Sequence, residues 1–112
     1  MNASKDDRLS LLPQHRQKVE EILRSCAPGV EVWAYGSRVN GRSHPGSDLD
    51  LVLRGPGLER LPLEVLGALS EAFHDSTIPF FVEARDWARL PESFHAEIER
   101  DYVVLVRAGG VC

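Results

Sequence analysis

Apolar positions along the chain recur with two periods, and the switches between them mark out its elements. Val19, Ile22, Leu23 and Cys26 fall at i, i+3, i+4 and i+7, a single helical stripe that Pro28-Gly29 ends, so a first helix is expected from Pro13 to Ala27. Val30 to Tyr35 is rich in β-branched and aromatic side chains and stops at Gly36, which predicts a strand. From Asp48 to Leu53 the period becomes two, with Leu49, Leu51 and Leu53 on one side and Asp48 and Asp50 on the other. Pro62 then opens a second amphipathic stretch through Leu63, Leu66, Leu69, Ala72 and Phe73. Ile78 to Trp87 reads as a third strand with Phe81, Glu83 and Arg85 on one side, and Pro91 begins a last helix through Phe94 and Ile98. Tyr102 to Val106 either finishes that helix or adds an edge strand.

This order predicts an α/β (α+β) fold, a small mixed sheet flanked by helices. Residues 1–12 are polar and unpatterned at first and are expected to fray, leaving one domain over residues 13–112. With 43% hydrophobic and 27% charged residues, the chain of 112 has enough apolar material for a modest core. Its net charge of -4 argues against a dedicated nucleic-acid binder, which needs surplus Lys and Arg to displace counterions from phosphates. No apolar run approaches the ~18 residues that cross a bilayer, and the N-terminal stretch lacks the hydrophobic segment of a secretory signal, so the expected location is the cytoplasm, away from membranes. Cys26 and Cys112 are expected to be free thiols.

The chemistry concentrates between the first two strands. Gly36 follows a strand and lets backbone come close to a ligand, while Ser37 offers a hydroxyl where a short helix could open with free N–H groups, together a phosphate cradle. After a ten-residue spacer come Asp48 and Asp50, same-face carboxylates that repel unless a cation lies between them. Oxygen-only ligands suit Mg²⁺ or Mn²⁺. The joint pattern describes metal-dependent phosphoryl or nucleotidyl transfer. Arg38 and Arg42 add positive charge beside the cradle.

At these residues, GSRVNGRSHPGSDLDL, the chain resembles the minimal nucleotidyltransferase family, a small branch of the DNA polymerase β-like superfamily. The resemblance covers nearly the whole chain and implies the palm-like nucleotidyltransferase fold. In that family two Asp carboxylates bind two divalent ions, and a third acid on a following strand completes the site. Glu83 is the match, standing where members usually have Asp, so the implied metal and catalytic set is Asp48, Asp50 and Glu83. Gly36, Ser37, Arg38 and Arg42 are the implied nucleotide-binding residues, and Asp86 is a substitute third acid on the opposite side of the strand.

A chain this short can hold two ions and a triphosphate but has little left to enclose an acceptor, so a partner should supply it. The resemblance implies the same, since members commonly serve as antitoxins to helical HEPN toxins and transfer AMP from ATP to a toxin tyrosine, in a hetero-oligomer with the toxin. Two alternatives are an antitoxin with an impaired site that acts by binding alone, suggested by Glu83, and a small-molecule transferase of the aminoglycoside-modifying kind. The four histidines, Trp33, Tyr35 and Tyr102 are expected to be structural or exposed.

Overall fold

The computed structural model describes residues 9–108. They form helix α1 (Pro13–Cys26), strand β1 (Glu31–Tyr35), a one-turn helix α2 (Ser37–Asn40), β2 (Leu49–Arg54), α3 (Leu63–His74), β3 (Val82–Asp86), α4 (Glu92–Arg100) and β4 (Tyr102–Val106), with 3₁₀ turns at Pro56–Leu58 and Trp87–Arg89. The sheet runs β3-β2-β1-β4: β1 pairs antiparallel with β2 and β4, and β2 pairs parallel with β3. This is the mixed α+β arrangement that the order of elements predicts.

Strand alternation sorts side chains onto two unlike faces. On one, Val32, Ala34, Leu49, Leu51, Leu53 and Val103 pack with Val19 and Leu23 of α1 and with Leu69 and Phe73 of α3. Leu49, Leu51 and Leu53 are wholly buried, and each contributes on the order of 1.5–3 kcal/mol by leaving water. The other face holds a smaller aromatic cluster of Trp33, Tyr35, Val52, Trp87 and Ile98, edged by Phe94 and Tyr102, with α4 laid over it. Here Trp33 stacks on Tyr102 with ring centroids 3.9 Å apart, and Trp87 stacks on His95 at the same distance.

Two boundaries differ from expectation and one open alternative is decided, each for local reasons. The third strand begins at Val82 rather than Ile78, because Pro79 has no N–H and Ser76 ties the preceding segment to α3, its Oγ donating to the Phe73 carbonyl and accepting from Ile78 N–H. Tyr102–Val106 is the edge strand, a conformation suited to its β-branched valines once α4 stops at Arg100. The expected frayed end is drawn in at its last residues: Leu9 is buried in the core and Ser10 N–H bonds the Arg38 carbonyl at 2.6 Å. The rest of that stretch, residues 1–8, and Cys112 lie outside the described residues. Cys26 is a free thiol.

Candidate active site

The register of the sheet brings the acids together. Tyr35 of β1 stands opposite Asp50 of β2, and Asp50 opposite Glu83 of β3, so the three form one row across three strands. The row crosses the aromatic face near the point where β1 ends in Gly36. Asp48 lies just before β2, exposed, while Asp50 is half-buried.

Gly36 is sharply bent and sits against Asp50. Its φ of 85° and ψ of −155° belong to a region that side chains avoid, and a Cβ there would stand 2.6 Å from Oδ2 of Asp50. The close approach expected between this glycine and a ligand is thus already made with the Asp50 carboxylate. Beyond it, α2 turns once and stops at Gly41, which is left-handed. The first N–H groups of a helix have no intrahelical carbonyl to bond, so those of Ser37 and Arg38 point out of the turn. Ser37 is half-buried and Arg42 exposed.

The Arg38 side chain departs from its expected place beside the phosphates. It is buried at 5% exposure, its guanidinium donating to the carbonyls of Ser10 at 2.8 Å, Pro45 at 2.9 Å and Ser47 at 3.0 Å, with the Phe80 ring 4.2 Å away. Two of those carbonyls belong to the spacer between the Gly-Ser turn and the aspartates. Arg38 therefore sets the course of that loop, and only its backbone remains for a ligand. His44 closes the same loop, its N–H bonding Ser47 Oγ at 2.9 Å and its Nδ1 accepting from Gly46 N–H at 3.2 Å.

Asp86 is also excluded from the acid row. Pointing to the helical face, it is 3% exposed and accepts from Leu61 N–H at 2.9 Å, Arg89 Nε at 3.0 Å and Ala88 N–H at 3.3 Å. Those bonds fasten the segment before α3 to the end of β3.

Electrostatically the row is overloaded with negative charge. Burial, reinforced by Asp48 and Glu83, holds the Asp50 carboxyl above the usual carboxylate range, with Arg85 opposing. Burial, then the Asp50 charge, raises the Tyr35 hydroxyl. Among the described residues no three His, Cys, Asp or Glu side chains stand close enough together to hold one ion as they are. The donors nonetheless fit a hard divalent cation in kind: all are carboxylates, and the half-buried Asp50 would be relieved by positive charge. Arg85 and Tyr35 were not among the residues expected at this site. Alternation alone places Arg85 on the side of Glu83, but nothing in the linear pattern brings Tyr35 to Asp50.

The sequence pattern of the nucleotidyltransferase domain family matches residues 16–105, and the chain belongs to that family. It is a nucleotidyltransferase, in agreement with its resemblance to the minimal members. Over 89 residues it is 40% identical to a Haemophilus influenzae protein named "Probable protein adenylyltransferase MntA", spanning 78% of this chain and 75% of that protein. A solved structure described as a toxin-antitoxin with AMP-PNP contains a chain of the same fold, with a TM-score of 0.66 and 19% identity, covering 80% of this chain and 71% of the other.

Proposed function

We propose that the protein transfers AMP from ATP to a tyrosine hydroxyl of a HEPN-type toxin, with which it assembles in the cytoplasm as the antitoxin of the pair. The observation that carries this reading is the row of Asp50 and Glu83 beside the Gly36 turn, with Asp48 at its entrance. The adenylyltransferase name of the Haemophilus influenzae relative supports AMP as the group transferred, and the toxin-antitoxin setting of the solved neighbour supports a toxin as acceptor.

In the transfer, the acceptor hydroxyl oxygen bonds to the α-phosphorus while the bond from that phosphorus to the oxygen bridging the β-phosphate breaks, and pyrophosphate leaves. Asp48, Asp50 and Glu83 would hold two Mg²⁺ ions, for which Mn²⁺ could substitute, and the metal would supply positive charge against that of the triphosphate. Glu83 completes the ligand set or accepts the hydroxyl proton, a task open to a carboxylate of either length. The Ser37 hydroxyl and the N–H groups of Ser37 and Arg38 would meet β- and γ-phosphate oxygens, with Arg42 adding charge from the rim.

The test is incubation of the purified protein with α-labelled ATP, Mg²⁺ and the product of the neighbouring gene. Label should appear on that partner and vanish when its acceptor tyrosine becomes phenylalanine. Label on neither protein, with Mg²⁺ or with Mn²⁺, would rule the reading out.

A further inference from the structure

Arg85 stands one rung beyond Glu83, on the same side of β3 and level with Val52 of β2. Its Nη2 lies 3.4 Å from Glu83 Oε2, and its positive charge also acts on the Tyr35 hydroxyl. The other arginines near this face are committed elsewhere. Arg38 is locked onto three carbonyls, and Arg54 lies against Trp33 and Trp87 with Glu31 3.6 Å away. Arg85 thus supplies positive charge to a row that otherwise carries only acids.

Its attachment is loose. A tight guanidinium–carboxylate pair closes to about 2.7–2.9 Å, usually through two bonds. Here one longer contact joins side chains that are 42% and 38% exposed, and the guanidinium carbon lies 5.9 Å from the centre of the Phe94 ring. Such a pair gives way to a stronger cation without disturbing the core.

We propose that Arg85 is a positioning residue, the resident counter-cation of the acid row, which holds the Glu83 carboxylate until a divalent ion displaces it and so sets how much of that ion the enzyme needs. The proposal rests on the reading that Asp48, Asp50 and Glu83 take the cation. It accounts for the acid row being assembled in register without three carboxylates closing on a single point, since Glu83 is turned to Arg85.

The experiment is a titration of the nucleotide-free protein with MnCl₂, followed by melting temperature and by the electron paramagnetic resonance signal of free Mn²⁺. Arg85→Gln removes the competing charge, so its half-saturating Mn²⁺ concentration should fall by about fivefold, the scale of a half-exposed ion pair. Arg85→Lys keeps the charge and should titrate close to wild type. A midpoint for Arg85→Gln that is unchanged or higher overturns the role of Arg85, even if that variant melts lower without metal, as a merely structural arginine would make it do. The reading beneath it fails in another way: Asp48→Asn plus Asp50→Asn would then gain as much from Mn²⁺ as wild type does, or wild type would not respond at all.

Discussion

The two faces of the sheet obey opposite rules, and β3 shows it within five residues. Asp86 and Glu83 are both acids on that strand, yet Asp86 points to the helical face, where burial at 3% exposure requires each oxygen to find a donor. Glu83 points to the other face, partly open, and meets a single half-exposed arginine. The same contrast separates Leu49 and Leu51, wholly buried, from Asp50 between them. A face that must exclude water can use a carboxylate only as a structural clasp, whereas a face left partly open can keep carboxylates incompletely neutralised and available to a cation.

Neutralising the open face should have the strongest consequence. On the proposed mechanism, Asp48→Asn plus Asp50→Asn should lower AMP transfer by on the order of a thousandfold or more, because two of the three carboxylates assigned to the ions are gone. The metal-free double mutant should also melt above wild type, since the repulsion and desolvation that strain Asp50 are removed. A radiolabel transfer assay and a thermal melt measure both, and a lower melting temperature would show that Asp50 serves the fold instead.

Next in size is the pair of acids on β3. Glu83→Gln should slow transfer roughly a hundredfold with little change in stability. Asp86→Ala should do the reverse, destabilising by about 2–3 kcal/mol as Leu61 N–H and Arg89 lose their acceptor, while the folded fraction transfers at the wild-type rate. Urea denaturation beside single-turnover transfer distinguishes them, and an exchange of the two phenotypes would mean that Asp86 is the third acid after all. Glu83→Asp, which shortens the acid by one methylene, should remain active; a wild type that is silent while this variant transfers AMP would favour the antitoxin that acts by binding alone.

Gly36→Ala should cost about 2 kcal/mol of stability from its backbone conformation and its clash with Asp50 Oδ2. Part of that loss should disappear in an Asp50→Ala background, where the oxygen is absent. Equal losses in both backgrounds, measured by urea denaturation, would assign the whole effect to the backbone.

The smallest effect is on pH. The Asp50 carboxyl titrates above its unfolded value of about 3.9, so between the two values the folded state binds more protons than the unfolded state. Its contribution to stability therefore falls as pH rises through that window, with the penalty absent below the unfolded value and complete above the folded one. Asp50→Asn should remove this slope from the metal-free protein, and a denaturation series across acidic pH would show whether it does.

Much of the site was legible in the linear order of residues. Period-two alternation separated Leu49 and Leu51 from Asp48 and Asp50, because a strand's side chains have no third direction to take. The Gly36-Ser37 turn after an aromatic strand, and Glu83 on the side of its strand away from Asp86, could be read in the same way. Arg38 could not. An arginine in a polar loop reads as a solvated charge, and only the folded path of residues 10, 45 and 47 surrounds it with carbonyls.

The amino-acid sequence carried what is local: which residues alternate, where glycine and proline interrupt, and on which side of their strands Asp50 and Glu83 fall. Those follow from backbone geometry within a few residues. The parallel pairing of β2 with β3, the row of Tyr35, Asp50 and Glu83, the contact of Gly36 with the Asp50 carboxylate and the placing of Arg85 beside Glu83 were decided by tertiary structure alone. Each joins residues whose separation along the chain says nothing about their distance in space, and register between strands is set only when the Leu49, Leu51 and Leu53 face is buried against the helices.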